Sequence, residues 1–552
     1  MRSLVHVPLF LLSGILTQCG ALHLPSGRST NLAVVSLDDG TFVGVTEGHT
    51  TKFLGIPYAK APIGDLRFNL PVAVDPYAGT YDATSFGPAC PQQIDVPEIA
   101  PWVNDREIEE LLNITYDTVS IESEDCLSVN VLVPTEITSG ASLPVVAWIL
   151  GGGFETGSTL TFDGGVVVQR SIELDEPVIY VSMNYRVTAF GFLASQEVKD
   201  AGVGNLGLRD QRLALRWIQK YIGAFGGDPT KVTIWGESAG AISVALQMIT
   251  NGGDTEGLFR GAFMQSGGPI PVGDITNGQA DYDALVSQTG CTNATDTLQC
   301  LRHAPYDVLK LAMDRSPGLF SYQSLKLAWL PRVDGVFLTD LPQNLTLQGK
   351  IANIPYVTGN CDDEGTLFSL STFNITNEAD LREYFISNYV NGAEESDVDE
   401  IFTLYPADPT QGSPFGTGTH YNITAEYKRL AALNGDLIFQ APRRILLNST
   451  AERQPAWSFQ KSCSCTFAAF QAHGTDLIGI YIKPGDLADY LINFVNKLDP
   501  NGNTPLFTWP QYDTKTRQLL TLTSGGGLGI TVDTYRAAGI TALANLSLQF
   551  PL

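Results

Sequence analysis

The sequence predicts an α/β fold with a mostly parallel central sheet and helices on both faces, on three observations. Residues 143–150 and 178–183 are continuous apolar runs, the pattern of strands buried on both faces. From about Leu208, apolar residues recur at helical spacing. Residues 232–240 then pass from a β-branched run directly into a helix-forming segment. This strand–helix–strand alternation is typical of parallel sheets with crossover helices.

Composition bounds the class of protein. The chain has 552 residues with 44% hydrophobic content, enough to bury a large core. Length alone suggests two or more domains, but large α/β enzymes are an exception, and residues 22–552 are predicted to form one domain. The formal net charge is −25, and no run of Lys and Arg contradicts it, so nucleic-acid binding is disfavoured.

The first 21 residues have the pattern of a secretory signal peptide. Arg2 provides the positive start, residues 4–16 an apolar stretch too short to span a bilayer, and Gly20 and Ala21 small residues for cleavage. The mature protein is therefore expected to be secreted and extracellular, with no transmembrane segment. Seven N-x-S/T sequons agree with that route and predict a glycosylated surface: Asn113, Asn293, Asn344, Asn374, Asn422, Asn448 and Asn545.

Eight cysteines become seven once Cys19 leaves with the signal, so at least one stays free or pairs between chains. Pairing Cys90 with Cys126 would close a long loop, and pairing Cys291 with Cys300 a short one. The states of three others stay open: Cys361, Cys463 and Cys465. No histidine or cysteine cluster has metal-ligand spacing, and no cofactor is expected.

The most informative motif is Gly-Glu-Ser-Ala-Gly at residues 236–240. A serine at a tight turn between a strand and a helix has the context of a nucleophile elbow. Gly236 and Gly240 remove the Cβ atoms that would collide where strand and helix nearly touch. The N-terminus of the helix points its N–H groups towards charge developing on a substrate, so Ser238 is predicted to be the nucleophile.

Four motifs in one order resemble the type-B carboxylesterase/lipase family. They are Gly-Ile-Pro-Tyr-Ala at 55–59, Ser-Glu-Asp-Cys-Leu-Ser-Val-Asn at 123–130, Gly-Gly-Gly-Phe at 151–154, and the motif at 236–240. The first of them follows two predicted early strands, at 42–46 and 51–54. This family is the branch of the α/β-hydrolases that includes cholinesterases and secreted fungal lipases. The resemblance covers nearly the whole mature chain and implies an α/β-hydrolase fold that cleaves carboxylic esters.

The resemblance also implies an oxyanion hole. The apolar run at 143–150 ends in three glycines, which let the backbone turn its N–H groups into a cavity that any Cβ would block. In the family, the residues at the positions of Gly152, Gly153 and Ala239 donate three N–H groups to the oxyanion. Ser266 resembles the serine that stands beside the catalytic acid in this family. Two family ion pairs, expected to be structural, match Arg186 with Asp210 and Arg67 with Glu124.

The histidine is found by elimination. His473 follows a strand-like region at 457–459 late in the chain, which matches the α/β-hydrolase order of serine, acid and histidine. The other five histidines lie in the signal, in the new N-terminus, before an early strand, after a cysteine and beside a sequon: His6, His23, His49, His303 and His420. His473 is therefore the predicted general base.

The acid must lie between Ser238 and His473. A predicted strand at 354–358 is followed by three adjacent carboxylates, and catalytic groups gather at the carboxyl edge of such sheets. From the residues alone, Asp362, Asp363 and Glu364 all fit. The family pattern Asp-Glu-Gly-Thr/Ser implies Glu364. Leu367 and Phe368, just beyond, are candidates to line the acyl pocket.

The predicted reaction is ester hydrolysis through an acyl-enzyme intermediate, on esters of apolar acyl chains. Two alternatives stay open. A serine peptidase would use the same triad, and a non-catalytic adhesion protein would share the fold but typically lack the nucleophile. The physiological ester is not readable, so triglycerides, sterol esters, phenolic esters and small acyl esters are all candidates.

A lid is predicted in the loop at residues 90–126. Residues 104–113 have the pattern of a helix with a capping residue and early acids, and its apolar stripe is formed by Ile108, Leu111 and Leu112. The alternative is a fixed amphipathic surface helix. By likeness to fungal lipases with a lid in this loop, we expect a flap that covers the active-site mouth and opens towards a lipid surface.

Overall fold

The computed structural model describes residues 31–93, 121–137, 140–462, 472–482, 484–502, 507–523 and 527–552, and their centre is one large sheet. Its thirteen strands are β1 Asn31–Leu37, β2 Asp39–Glu47, β3 Thr50–Pro57, β4 Ala78–Asp82, β5 Ser128–Pro134, β6 Leu143–Ile149, β7 Ile179–Met183, β8 Gly227–Glu237, β9 Gly261–Gln265, β10 Tyr356–Cys361, β11 Ala456–Ser462, β12 Gln518–Thr523 and β13 Leu528–Val532.

The strands run in the order β1-β2-β3-β5-β7-β6-β8-β9-β10-β11-β12-β13, and β4 pairs with β2. From β7 to β12 every neighbouring pair is parallel. The pairs outside this region, β4 with β2 excepted, are antiparallel. The predicted fold class, a mostly parallel α/β sheet, is confirmed.

Helices cover both faces of the sheet. They are α1 Gly165–Glu173, α2 Thr188–Phe192, α3 Gln196–Asp200, α4 Leu206–Tyr221, α5 Ala239–Ile249, α6 Gln279–Gln288, α7 Thr297–His303, α8 Tyr306–Met313, α9 Pro342–Leu347, α10 Glu378–Tyr389, α11 Asp399–Leu404, α12 Tyr427–Gly435, α13 Ala441–Thr450, α14 Asp486–Lys497 and α15 Ala537–Gln549. Along the described ranges, no helix combines the length and the apolar character needed to cross a membrane.

Strand β6 shows why the apolar runs form central strands. Val145, Ala147 and Ile149 belong to the core on one face of the sheet. Val146 and Trp148 belong to the core on the other face, where α1 and α14 pack. Successive side chains of a strand point to opposite faces, so a strand with apolar residues at every position buries both.

The strand before Ser238 begins earlier than the sequence predicts. The sequence pattern predicts a start near Val232, but β8 begins at Gly227. Leu143 pairs with Gly227 and Val145 pairs with Val232, so residues 228–231 of β8 bulge out between them. Pro229 lies in this bulge, where its missing N–H costs no ladder hydrogen bond.

A π-helical turn, Asp436–Gln440, joins α12 to α13. Pro442 follows within the same continuous helix, and its ring would clash with the carbonyl group of Ile438 in a regular α-helix. The wider turn avoids this clash, and such turns are frequent at functional sites. This turn brings Ile438 and Phe439 to the cavity described below.

Candidate active site

Ser238 lies between β8 and α5, in the tight turn that its motif predicts. Its φ is 56° and its ψ −126°, a strained conformation for a residue with a side chain. A Cβ on Gly240 would come within 2.1 Å of the carbonyl oxygen of Ile149, so only glycine fits there. The turn therefore holds the serine side chain at the carboxyl edge of the parallel sheet.

Ser238, His473 and Glu364 form one hydrogen-bonded chain. The Oγ of Ser238 lies 2.6 Å from Nε2 of His473. The Nδ1 of the same ring lies 2.6 Å from Oε2 of Glu364. Because an ionised carboxylate only accepts hydrogen bonds, Nδ1 carries a proton, and in the neutral ring Nε2 is free to accept one from the serine.

Glu364 is itself held by backbone and side-chain donors. Its Oε1 accepts hydrogen bonds from the N–H of Cys361 at 2.7 Å and from Nδ2 of Asn360 at 3.2 Å. The two carboxylates beside it point elsewhere. Asp363 accepts from the hydroxyl of Ser413 and the N–H of Phe415, and Asp362 accepts from Nε2 of Gln460. Of the three candidates, only Glu364 contacts the imidazole.

A second carboxylate faces the imidazole. Oε1 of Glu237 lies 3.4 Å from Nε2 of His473 and has no hydrogen-bond partner among the described residues. Burial raises the pKa of Glu237 to about 8, although the nearby imidazole opposes the shift. Burial also acts to lower the pKa of His473, but the charges of Glu364 and Glu237 outweigh it and raise that pKa to about 9. The phenyl rings of Phe368 and Phe439 pack on the imidazole, with centroids 5.1 and 4.6 Å away.

The glycine loop at residues 151–157 follows β6 and lies against Ser238. Gly152 has a φ of 100° and Gly153 a φ of 64°, both in the region that favours glycine. A Cβ on Gly151 would come within 3.1 Å of the Cβ of Ser238. Gly153, Ser238 and Ala239 line the same cavity. The arrangement brings two of the predicted oxyanion residues, Gly153 and Ala239, beside Ser238.

The cavity in front of Ser238 is apolar. Its walls come from distant parts of the chain and are formed by Phe154, Ile242, Ile270, Leu319, Leu325, Leu327, Leu330, Phe368, Ile438, Phe439 and Leu552. Of the two candidates for the acyl pocket, Phe368 lines this cavity and Leu367 does not. Sequence reasoning missed the segment 319–330 and the π-helical turn, because neither carries a motif. The proline at 442 was the one signal for the turn.

The predicted residues around the site have different outcomes. Arg186 and Asp210 form a buried bidentate ion pair, with contacts of 2.7 and 2.8 Å, and Arg67 pairs with Glu124 at 2.6 Å. Ser266 follows β9, but its buried Oγ has no hydrogen-bond partner among the described residues. Its predicted role beside the acid therefore stays a prediction.

The cysteines pair as expected where they are described. The structure joins Cys90 to Cys126 and Cys291 to Cys300, and leaves Cys361 buried and unpaired. Cys463 and Cys465 lie outside the described residues. Within the described ranges, no group of three or more His, Cys, Asp or Glu side chains is arranged to hold a metal ion.

The sequons differ in accessibility. Asn344 is half-buried in α9, and its Nδ2 donates to Asp340. Five others are exposed: Asn293, Asn374, Asn422, Asn448 and Asn545. Asn113 and the predicted lid residues Ile108, Leu111 and Leu112 lie outside the described residues, as does the predicted signal peptide.

Comparisons with known proteins agree with this geometry. A sequence model described as the carboxylesterase family matches residues 31–481. The crystal structure of Aspergillus niger EstA superposes with a TM-score of 0.79 at 28% sequence identity, covering 94% of this chain and 99% of that one.

Curated relatives extend the similarity over nearly the whole chain. Lipase 4 of Diutina rugosa is 40% identical over 91% of this chain and 94% of its own length. Secreted lipase 1 of Botryotinia fuckeliana is 41% identical over 90% of each. Secreted triacylglycerol lipase LIP1 of Gibberella zeae is 39% identical over 87% of this chain and 84% of its own.

Proposed function

Because the chain belongs to the carboxylesterase family and is a carboxylic ester hydrolase, we propose that it cleaves esters of apolar acyl chains, triacylglycerols included. One observation carries this proposal: the Oγ of Ser238, 2.6 Å from the imidazole, opens into an apolar cavity. The names of the relatives, which are lipases, support the same substrate class. Neither the peptidase nor the adhesion alternative has comparable support.

The proposed triad is Ser238, His473 and Glu364. Nε2 of His473 takes the hydroxyl proton as Oγ attacks the ester carbonyl, and Glu364 holds the ring in the required tautomer and stabilises the imidazolium. When the tetrahedral intermediate collapses, the C–O bond to the alcohol breaks and the alcohol leaves with that proton. A water molecule then attacks the acyl-enzyme by the same route and releases the acid and Ser238.

The proposed oxyanion donors are the N–H groups of Gly152, Gly153 and Ala239. Positive φ angles at both glycines and the position of Ala239 as the first residue of α5 support this assignment. Preorganised N–H donors stabilise the negative charge that develops on the carbonyl oxygen, usually the largest contribution to such reactions. Ser266 is proposed to pack beside the acid without a hydrogen bond to it.

The acyl chain is proposed to enter the cavity walled by Leu319, Leu325 and Phe439, among others, whose free volume of about 40 Å³ must widen to hold it. Burying an acyl chain there is favoured by about 0.8 kcal/mol for each CH₂ removed from water. We also propose that the protein is secreted, and that it meets its substrate at a lipid surface through the loop at 90–126. Two relatives named as secreted support the first of these proposals.

Hydrolysis of tributyrin across its solubility limit tests the substrate and the interface together. We expect the rate to jump when droplets form, while soluble nitrophenyl butyrate shows ordinary saturation.

Changing Leu111→Asp with Leu112→Asp should lower long-chain ester hydrolysis more than butyrate hydrolysis. Smooth saturation through the limit, with equal losses on both substrates, would leave an esterase without interfacial contact. No turnover of any triacylglycerol would refute the substrate class.

Glu237→Gln should shift the pH dependence of kcat/KM. The active form of the base is the neutral imidazole, so the rate rises as pH passes the pKa of His473. The carboxylate of Glu237 favours the imidazolium from 3.4 Å away. Removing that charge should lower the pKa, and the acidic limb should move to lower pH by about one unit. The limb is measured with a soluble ester beside wild type; an unchanged or raised limb contradicts the prediction.

A further inference from the structure

The buried side chain of Gln92 forms hydrogen bonds to the glycine loop at residues 151–157. Gln92 is 4% exposed. Its Oε1 accepts two hydrogen bonds from the end of the loop at 151–157, one from the N–H of Gly157 and one from the hydroxyl of Thr156, both at 2.7 Å. Two donors converging on one buried acceptor hold both residues in a single geometry.

Of the two residues that Gln92 bonds, Thr156 packs directly on Gly152. The N–H of Thr156 donates to the carbonyl oxygen of Gly152 at 3.0 Å. A Cβ on Gly152 would come within 2.3 Å of the carbonyl oxygen of Thr156. The carbonyl oxygen of Gly152 belongs to the planar peptide group that also carries the N–H of Gly153, so a displacement of Thr156 would change the direction of that N–H.

We propose that Gln92 is a positioning residue for ester hydrolysis, whose side-chain carbonyl fixes the loop that presents the N–H groups of Gly152 and Gly153. Three loop glycines, Gly152, Gly153 and Gly157, adopt positive φ, so their own backbone preferences restrict the loop little. Oxyanion donors act only when they lie about 2.7–3.1 Å from the developing charge. This inference rests on the oxyanion hole proposed above.

Gln92 is itself anchored. Its backbone N–H donates to Glu122 at 3.3 Å, and the disulfide between Cys90 and Cys126 lies two residues away along the chain. The other half of the loop has separate support, because the N–H of Gln93 donates to the carbonyl oxygen of Glu155 and the N–H of Thr188 to that of Phe154. Losing the Gln92 contacts should therefore displace the loop end without unfolding the loop.

Gln92→Leu and Gln92→Glu separate positioning from packing. The leucine removes the acceptor at similar volume, whereas the glutamate keeps an oxygen that accepts both hydrogen bonds. We expect Gln92→Leu to lower kcat about 10- to 100-fold while KM stays within about threefold. The reason is that a misplaced N–H donor stabilises the transition state less but hardly affects substrate binding. Gln92→Glu should recover most of that loss. A trifluoromethyl ketone, which mimics the tetrahedral intermediate, should bind Gln92→Leu more weakly by the same factor as kcat/KM.

A second variant keeps the test decisive if Gln92→Leu folds poorly. Thr156→Val removes one of the two donors and should lower kcat in the wild-type protein but add little in the Gln92→Leu protein. Unchanged kcat in Gln92→Leu, parallel changes in kcat and KM, additive losses in the double variant, or no recovery with glutamate would each overturn the inference. Labelling of Ser238 by a phosphonate distinguishes failure of the proposed function from failure of the role proposed for Gln92. If wild type is not labelled, the proposed function fails; if it is labelled and Gln92→Leu is fully active, only the role of Gln92 fails.

Discussion

Replacing Ser238 by alanine is expected to abolish ester hydrolysis, with a loss of about 10⁴-fold or more. The substitution removes the only atom of this residue that can attack a carbonyl, and the two other triad members then have nothing to activate. Folding should survive, because the turn depends on the glycines and alanine has the same Cβ as serine at the strained φ of 56°. Initial rates on a nitrophenyl ester and a thermal unfolding midpoint measure both claims.

Ser266→Ala is the matched control for that variant. Ser266 is also buried, has a φ of 55° and follows β9, the strand next to the one before Ser238. Its Oγ makes no hydrogen bond within the described chain, so the rate should stay within about tenfold of wild type. Purified Ser238→Ala that keeps more than a few per cent of the wild-type rate would remove Ser238 from the mechanism.

The parts of the site that follow from local spacing were predictable. Ser238 and Gly240 are two residues apart, and the close approach of strand and helix forces glycine at the second position whatever the rest of the chain does. Likewise, the apolar composition of the runs that form β6 and β7 is enough to predict that these strands are buried. Because these signals are local, the fold class and the nucleophile follow from short stretches of sequence.

The acid required more than local spacing. Asp362, Asp363 and Glu364 are adjacent, and chain order alone left all three open. The choice depends on where each side chain points after β10, which is decided by distant partners such as Ser413 and Gln460. Resemblance to a family supplied the answer that the residues could not.

Neither the walls of the cavity nor the hydrogen bonds between Gln92 and the glycine loop were predictable from sequence. Gln92 accepts hydrogen bonds from Thr156 and Gly157, 64 and 65 residues further along the chain. Leu319 and Phe439 meet in one cavity although 120 positions separate them. No periodicity or motif records such contacts, because they arise only when the sheet assembles. Similarly, the motif gives the position of Glu237 but not its approach to the imidazole.

Glu364→Gln is expected to lower kcat by about 10⁴-fold while leaving the fold intact, because it reverses the tautomer of His473. The N–H of Cys361 and Nδ2 of Asn360 both donate to Oε1 of Glu364. In the variant, these donors hold the amide oxygen at that position, so the amide NH₂ group faces Nδ1 of the imidazole. Nδ1 must then accept a hydrogen bond, and the ring proton moves to Nε2. An Nε2–H cannot take the proton of Ser238.

The control for this variant is Asp363→Asn, an amide replacement one residue earlier. Asp363 bonds Ser413 and Phe415 rather than the imidazole, so its replacement should keep the rate within about tenfold of wild type. Single-turnover rates and the thermal unfolding midpoint distinguish lost chemistry from lost fold. Above the pKa of His473, NMR of the imidazole nitrogens should show the proton on Nδ1 in wild type and on Nε2 in Glu364→Gln. Equal rates for the two variants, or an unchanged tautomer in Glu364→Gln, would mean that Glu364 does not orient the base.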